Sequence, residues 1–451
     1  MSVSVGHSVL RCVGCGVEAD TNVLFPFACP NAGSGDGNEH ILVRRLAPEW
    51  IRKALDEGGQ ETADRNSFIR FRHAMHSWHA ATAWGFTDAE YIDEVTQLNQ
   101  RIGRVDGTAF GETPFQPQDF LASRLGLPGR SLWVKDETNH VSGSHKGRHL
   151  FNILLWVHLQ KKRGVLLNVP RLAIASCGNA ALAAAVLANA ADMPLDVFIP
   201  VNAEPNVVTR LSALGATIHV CPRRPNEVGD PCYLRFREAT AAGALPFCCQ
   251  GPDNALAVEG GLGLGWELVV QAKRARLHLD RVFVQVGGGA LGSAVATAFL
   301  EAVESGYLST MPKIIAVQTA GCAPLKRAYD RLMDAQHQHG WNNAETLHQA
   351  TLHRSQWMWP WEEEPHSLAH GILDDETYDW HGLVTGIVAS GGFPVVAAES
   401  AVVEAAQMGA EYTGIDVCAT GTSGLAGLLS LDREQSSASG ATVLLFTGHR
   451  R

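Results

Sequence analysis

The sequence predicts an α/β protein, with parallel strands in sheets covered on both faces by helices and a small Cys-rich segment at the N-terminus. Two observations carry this prediction. From about Ser131 onward, short apolar runs alternate with segments of helical spacing, the rhythm of β-α units on a largely parallel sheet. Of the 45 glycines, many stand just after β-like runs, beside Ser and Asn, at the strand C-termini where open α/β sheets bind ligands. The 451 residues are 46% apolar and 18% charged, a globular composition. At about 100–200 residues per domain, two or three domains are expected.

Strands are expected at 132–135, 172–175, 195–199, 217–221, 282–286, 314–318 and 442–446. Helices are expected between them, near 147–160, 179–191, 205–213, 291–304 and 397–408. A further helix is signalled by Thr87 and Glu90, a capping box followed by Ile92, Val95, Leu98 and Ile102 at helical spacing. The first forty-five residues read as loop, and the His- and Gln-rich stretch at 336–356 as a surface excursion. No internal repeat is found.

Charge and cysteine usage narrow the function classes. Lys and Arg total 36 against 46 Asp and Glu, a formal charge of −10, which argues against a nucleic-acid or anionic-membrane surface. The uncharged stretch 172–191 has nearly the length of a membrane span, but Ser176, Cys177, Gly178, Asn179 and Asn189 make it a strand, a turn and a buried helix. The opening residues lack a basic region followed by an apolar one, so no secretory leader is expected. Ten cysteines in this length are no disulfide framework, and a reducing, cytoplasmic compartment is expected.

Three motifs carry chemistry. Val286-Gly287-Gly288-Gly289-Ala290-Leu291-Gly292 follows an expected strand and opens an apolar helix. Its backbone N–H groups and the helix dipole suit a phosphate; the plain reading is a tight turn without ligand. The same glycines satisfy G-x-G-x-x-G, but the next strand ends in Gln318-Thr319 without the carboxylate a dinucleotide ribose needs. A nicotinamide oxidoreductase is therefore disfavoured. In Ser142-Gly143-Ser144-His145-Lys146-Gly147, Lys146 starts a buried helix, where desolvation and the dipole favour the neutral amine of a Schiff-base lysine; the alternative is a solvated first-turn lysine. In Ser176-Cys177-Gly178-Asn179-Ala180, Asn179 either holds a ring oxygen or caps the helix.

In this order, with Lys135-Asp136-Glu137 and the terminal Thr447-Gly448-His449, these motifs resemble the pyridoxal-phosphate enzymes of fold type II, most closely the threonine synthase-like members. The resemblance covers roughly residues 103–451. It implies a two-lobed fold with the Cys-rich segment at 1–45, a larger cofactor-binding lobe at 46–165 and 245–451, and a smaller α/β lobe at 166–244. It further implies pyridoxal phosphate as cofactor, with Lys146 as Schiff base and general base. Asn179 would hold the ring oxygen, Gly287, Gly288, Gly289, Ala290 and Leu291 the phosphate, and Thr447 the pyridine nitrogen. Ser144, Ser176, Cys177, Gly178, Asn179 and Ala180 would receive the substrate.

The activity so implied is β- or γ-elimination or replacement on a small amino acid, threonine synthase-like, by a homodimer. The alternatives are an amino-acid ammonia-lyase giving a 2-oxo acid, or a catalytically silent cofactor-binding regulatory protein. Departures bear on the choice. Threonine synthases carry Phe-Lys-Asp around the lysine, where this chain has His145-Lys146-Gly147. Asp374 and Asp375 would repel a phosphorylated substrate, which puts homoserine phosphate in doubt.

Weaker features have both functional and plain readings. Cys12, Cys15, Cys29 and His40 have the residue types of a zinc site. Threonine synthase-like chains often open with two Cys pairs, but Ala32 stands where the second pair would be completed. A degenerate ribbon without metal is the alternative. His73, His76 and His79 read as a packed helix rather than a metal site. His366, His370, Asp374, Asp375, Asp379 and His381 read as a substrate-contacting loop, and the Trp-rich run at 357–361 as core or interface packing.

Overall fold

A computed structural model describes residues 7–20, 23–33, 35–61, 63–227, 229–432 and 439–451. The reading of the extreme N-terminus as leaderless rests in part on residues 1–6, outside those described. The strands are β1 (Ser8–Cys12), β2 (Leu42–Leu46), β3 (Phe115–Pro117), β4 (Leu132–Asp136), β5 (Leu172–Ala175) and β6 (Leu195–Ile199). They continue with β7 (Thr217–Val220), β8 (Leu245–Pro246), β9 (Leu279–Gln285), β10 (Lys313–Thr319), β11 (Phe393–Ala397) and β12 (Ala441–Phe446). They form three sheets: β1-β2, antiparallel; β11-β10-β9-β12-β4-β3, parallel except for the β3 edge; and β7-β6-β5-β8, parallel throughout.

The central strands are apolar on both faces because helices cover both. All six residues of β12 and all five of β4 are buried, as the parallel-sheet reading requires. The capping box is present at the start of the Asp88–Asp106 helix, with Thr87 and Glu90 serving each other's backbone. The 336–356 stretch lies mostly at the surface and is largely helical: it ends one helix, Pro324–His339, and forms another, Asn343–Thr351, whose first turn is capped by Asn342. The first forty-five residues are not all loop, since they contain the β1-β2 pair.

One helix escaped the periodicity reading. Leu256–Arg274 contains Gly260, Gly261, Gly263 and Gly265, poor helix formers in isolation. The reason is packing. A Cβ on Gly260 would lie 2.4 Å from the Arg148 carbonyl, and one on Gly265 would lie 2.5 Å from Ala298. Glycine lets this helix press directly against Lys146–Lys162 on one side and Ala290–Glu304 on the other. That seats the helix that begins at Lys146.

The Trp run packs as expected: Trp357 and Met358 are buried, and the Arg327 guanidinium lies 3.9 Å from the Trp359 ring centre. His73, His76 and His79 join a cluster with Trp50, Trp78 and Trp156. Among the described residues, no helix is long and apolar enough to cross a membrane.

Candidate active site

The parallel strands β4, β5, β9 and β12 deliver their C-terminal ends to one region, and the three motifs lie there. The turn before Lys146 is held from several sides. Ser142 and Gly143 both have positive φ, 58° and 70°, so a small, permissive sequence is needed. Asp106 accepts from the Ser142 N–H at 2.9 Å, His449 donates to the Gly143 carbonyl at 2.9 Å, and Arg451 donates to the Ser142 carbonyl at 2.7 Å. Ser144 bridges to Gly448, and its hydroxyl is wholly buried with no partner among the described residues.

Lys146 opens its helix between two histidines that carry no positive charge at neutral pH. Burial and then the Lys146 charge hold His149 down to about 3 and His145 well below its ordinary value. Two residues on, Arg148 anchors the same helix. It donates to Glu137 at 2.8 Å and to Glu267 at 2.8 Å, and Lys135 donates to Glu267 at 2.6 Å, all four side chains being at most 1% exposed. Burial pushes the Glu137 carboxyl up, but Arg148 outweighs it and holds the group at about 2.

The glycine loop has the expected form. Gly289, with φ 92°, stands immediately before the Ala290–Glu304 helix, leaving the first-turn N–H groups of Ala290 and Leu291 without intrahelical acceptors. The loop is closely overlaid by 372–379. A Cβ on Gly287 would lie 2.2 Å from Asp374 Oδ2, one on Gly289 2.7 Å from Thr377 Cγ2, and Asp379 donates its N–H to the Gly288 carbonyl at 2.8 Å. Asp374 accepts from the Gly288 N–H and lies within electrostatic reach of Lys146.

Asn179 is the first residue of the Asn179–Ala190 helix and makes no cap; Gly178 takes that position. The Asn179 amide instead reaches across to Gly448, where a Cβ would lie 2.7 Å from Nδ2. In the 176–180 turn the Ser176 N–H is taken by the Phe198 carbonyl at 3.2 Å and the Gly178 N–H by Ser176 Oγ at 3.4 Å. The N–H groups of Asn179 and Ala180, in the first turn, have no intrahelical acceptor. Thr447 is buried and receives a hydrogen bond from Gln285 Nε2 at 2.6 Å, and His145 donates to the Thr447 carbonyl at 3.2 Å.

The acidic and histidine cluster separates. Asp374 and Asp379 join the region of Lys146, but His381 turns to the Leu347 carbonyl, and His366 and His370 are exposed. Burial pushes the Asp379 carboxyl up to about 8, against the stabilising Gly251 N–H at 3.1 Å. Four contributors were missed in the sequence. Gln285 and Cys249 lie in apolar stretches, Asp230 caps the Pro231–Ala241 helix from the other sheet, and Tyr233 of that helix meets Tyr378 at 5.6 Å. Asp230 acts electrostatically on both Asp374 and Asp375, yet among the described residues none of these three carboxylates forms a salt bridge.

Away from this site, Cys12, Cys15, Cys29 and His40 place one ligand atom each within 4.8 Å of one another. The separations Cys15–Cys29, Cys12–His40 and Cys29–His40 are 3.6, 3.6 and 3.5 Å. A zinc tetrahedron with bonds of about 2.1–2.3 Å has edges of roughly 3.4–3.8 Å, so this set fits. Asp36 lies 3.0 Å from the other ring nitrogen of His40, the partner a metal-binding imidazole needs.

Residues 107–448 match the family model of the pyridoxal-phosphate dependent enzymes. The chain belongs to this family. Among curated relatives it is 27% identical over 220 residues to the biosynthetic L-threonine dehydratase of Lactococcus lactis (strain IL1403), covering 48% of each chain. It is 26% identical over 229 residues to an L-serine dehydratase of Saccharomyces cerevisiae (strain AWRI1631), covering 49% of this chain and 64% of the relative. The chain thus spans between about half and two thirds of the length of these relatives.

Solved structures share the fold. The match to the threonine deaminase of T.th. covers 80% of this chain and 98% of the other, at 20% identity and TM-score 0.59. The match to maize serine racemase covers 80% and 93%, at 19% identity and TM-score 0.55. The residues present fit the family's cofactor. A wholly buried Ser144 hydroxyl without a partner among the described residues stands two positions before Lys146, glycines at 287–289 let residues 372–379 lie directly against the loop backbone, and the N–H groups of Ala290 and Leu291 keep no intrahelical acceptor.

Proposed function

We propose that this chain is a pyridoxal-phosphate-dependent ammonia-lyase that eliminates the β-substituent of a small hydroxy amino acid and yields a 2-oxo acid. The observation that carries it is the convergence of Lys146, Asn179, the 287–291 loop and Thr447 at one set of strand ends. The dehydratase relatives favour ammonia release over a threonine synthase reaction. The carboxylates Asp230, Asp374 and Asp375, unneutralised by salt bridges, oppose a phosphorylated substrate.

When bound, pyridoxal phosphate supplies an electron sink for negative charge at a substrate α-carbon. Gly287, Gly288, Gly289, Ala290 and Leu291 would hold its phosphate, Lys146 its carbonyl carbon, Asn179 its ring oxygen and Thr447 its ring nitrogen. Asp374, which accepts from the Gly288 N–H, would have to yield that donor to the phosphate. The Asn179 and Ala180 N–H groups, with the Ser176, Cys177 and Gly178 turn and Ser144, bind the substrate carboxylate and orient its α C–H toward Lys146 Nζ. Displaced from that carbon by the substrate's own amino group, the freed Lys146 amine would take the α-proton and hand it to the departing hydroxyl, which leaves as water. With His145 and His149 neutral, the proton is handled at Lys146 rather than by its helix neighbours.

We further propose that Cys12, Cys15, Cys29 and His40 hold a structural zinc. Metal analysis of freshly purified protein should give about one zinc per chain; well under that sinks the site. For the reaction, holoenzyme is incubated with serine, threonine and homoserine phosphate, and ammonia, 2-oxo acid and inorganic phosphate are measured. Ammonia and 2-oxo acid in equal amounts from serine or threonine are expected. Phosphate release from homoserine phosphate would restore the threonine synthase reading.

A further inference from the structure

Gln285 ends β9, two residues before Gly287, and is 4% exposed. Its Nε2 lies 3.0 Å from the Gly421 carbonyl, 3.1 Å from the Leu445 carbonyl and 2.6 Å from Thr447 Oγ1. Three oxygens around one end of the amide fix that end as the amino group, because the opposite orientation would set its oxygen against two carbonyls. An amide nitrogen has no lone pair to offer. At 2.6 Å Thr447 therefore accepts, and its own proton is turned away from Gln285. The cost of this orientation is visible, since Gln285 Oε1 is buried without a partner among the described residues.

We infer that Gln285 is a positioning residue: it occupies the acceptor side of the Thr447 hydroxyl and so presents that hydroxyl's proton to the ring nitrogen of the bound cofactor. This rests on the proposed placement of Thr447 opposite that nitrogen. The consequence is chemical. A hydroxyl held as donor needs an unprotonated nitrogen, which makes a milder electron sink and favours elimination over transamination. Without Gln285 the hydroxyl is free to donate to the Gly421 or Leu445 carbonyl that the amide has vacated, and the nitrogen loses its donor.

The test loads wild type, Gln285→Met, Thr447→Val, Thr447→Ser and the double variant Q285M/T447V with pyridoxal phosphate carrying 15N at the ring position. The 15N resonance and the cofactor dissociation constant are read in each. Thr447→Ser, which keeps the hydroxyl, is expected to match wild type. Gln285→Met and Thr447→Val are expected to shift the resonance in the same direction and weaken cofactor binding about three- to tenfold, the scale of one hydrogen bond. The double variant is expected to add nothing further.

A Q285M resonance that coincides with wild type while T447V shifts overturns the inference. Failure of T447V to shift in a cofactor-loaded protein overturns it as well, by removing Thr447 from the nitrogen, and leaves the Lys146 reading intact. A wild type that takes up no cofactor sinks the proposed function itself. Should Q285M fail to fold, Gln285→Asn decides: its shorter amide withdraws from Thr447, and a wild-type resonance there contradicts the inference.

Discussion

Two charged regions share one helix and are built on opposite rules. On the Arg148 side, two cations and two carboxylates from β4, the 137 loop and the helices at 148 and 267 are fully buried and fully paired. On the Lys146 side, two residues away, Asp379 is forced toward its neutral form, and among the described residues Asp374 lies on a backbone amide with no cation bonded to it and Ser144 Oγ and Gln285 Oε1 have no partner. The first arrangement satisfies every group and fixes the helix. The second leaves groups unsatisfied, as a protein does where a ligand completes the set. The paired half holds the helix in place, so that the Lys146 half can remain incomplete.

The largest effect expected from breaking this contrast is on the satisfied side. Arg148→Met leaves Glu137 and Glu267 buried with too little positive charge, and should cost about 3–5 kcal/mol in urea unfolding. A loss below about 1 kcal/mol would show the network to be solvated rather than closed.

Next comes Asp379. Its folded pKa of about 8 lies above the unfolded value of about 4, so the folded state binds the extra proton between them. The stability it contributes is fully present below about pH 4 and is lost as pH rises through about 8. Asp379→Asn, which keeps an acceptor for Gly251, should match wild type near pH 4 and exceed it by about 2 kcal/mol at about pH 6, the gap widening further toward about pH 8. Parallel stability curves for the two proteins would remove the raised carboxyl from the account.

The smallest effect is at Asp374. Replacing its carboxylate by Asn removes an anion from the Gly288 N–H, and cofactor affinity measured by fluorescence titration should rise about threefold to tenfold. A fall instead would make Asp374 part of the binding surface for the cofactor.

Much of this was legible in the sequence. The strands at 172–175 and 195–199 and the helix at 205–213 have the expected bounds, because buried parallel strands and a Pro-started helix announce themselves locally. The Gly loop, Lys146 and the Cys/His set were visible as short patterns. What was hidden depends on distant pairs. The Gly-rich helix at 256–274 is stable only because neighbouring helices need its missing side chains, and Gln285 matters only through Thr447, 162 positions away. Asp230 reads as an ordinary helix cap until the second sheet brings it opposite Asp375. The histidines at 366, 370 and 381 show the converse: closeness in sequence did not bring them to Lys146.

The central claim is that Lys146 is where the cofactor is held. The most direct measurement is the visible absorbance spectrum of the purified protein beside Lys146→Ala, each with pyridoxal phosphate supplied and then removed by gel filtration. A band retained by wild type, absent from the variant and shifted by serine or threonine is the result predicted. A wild type that stays colourless after loading, or a variant that keeps the same band, would contradict it.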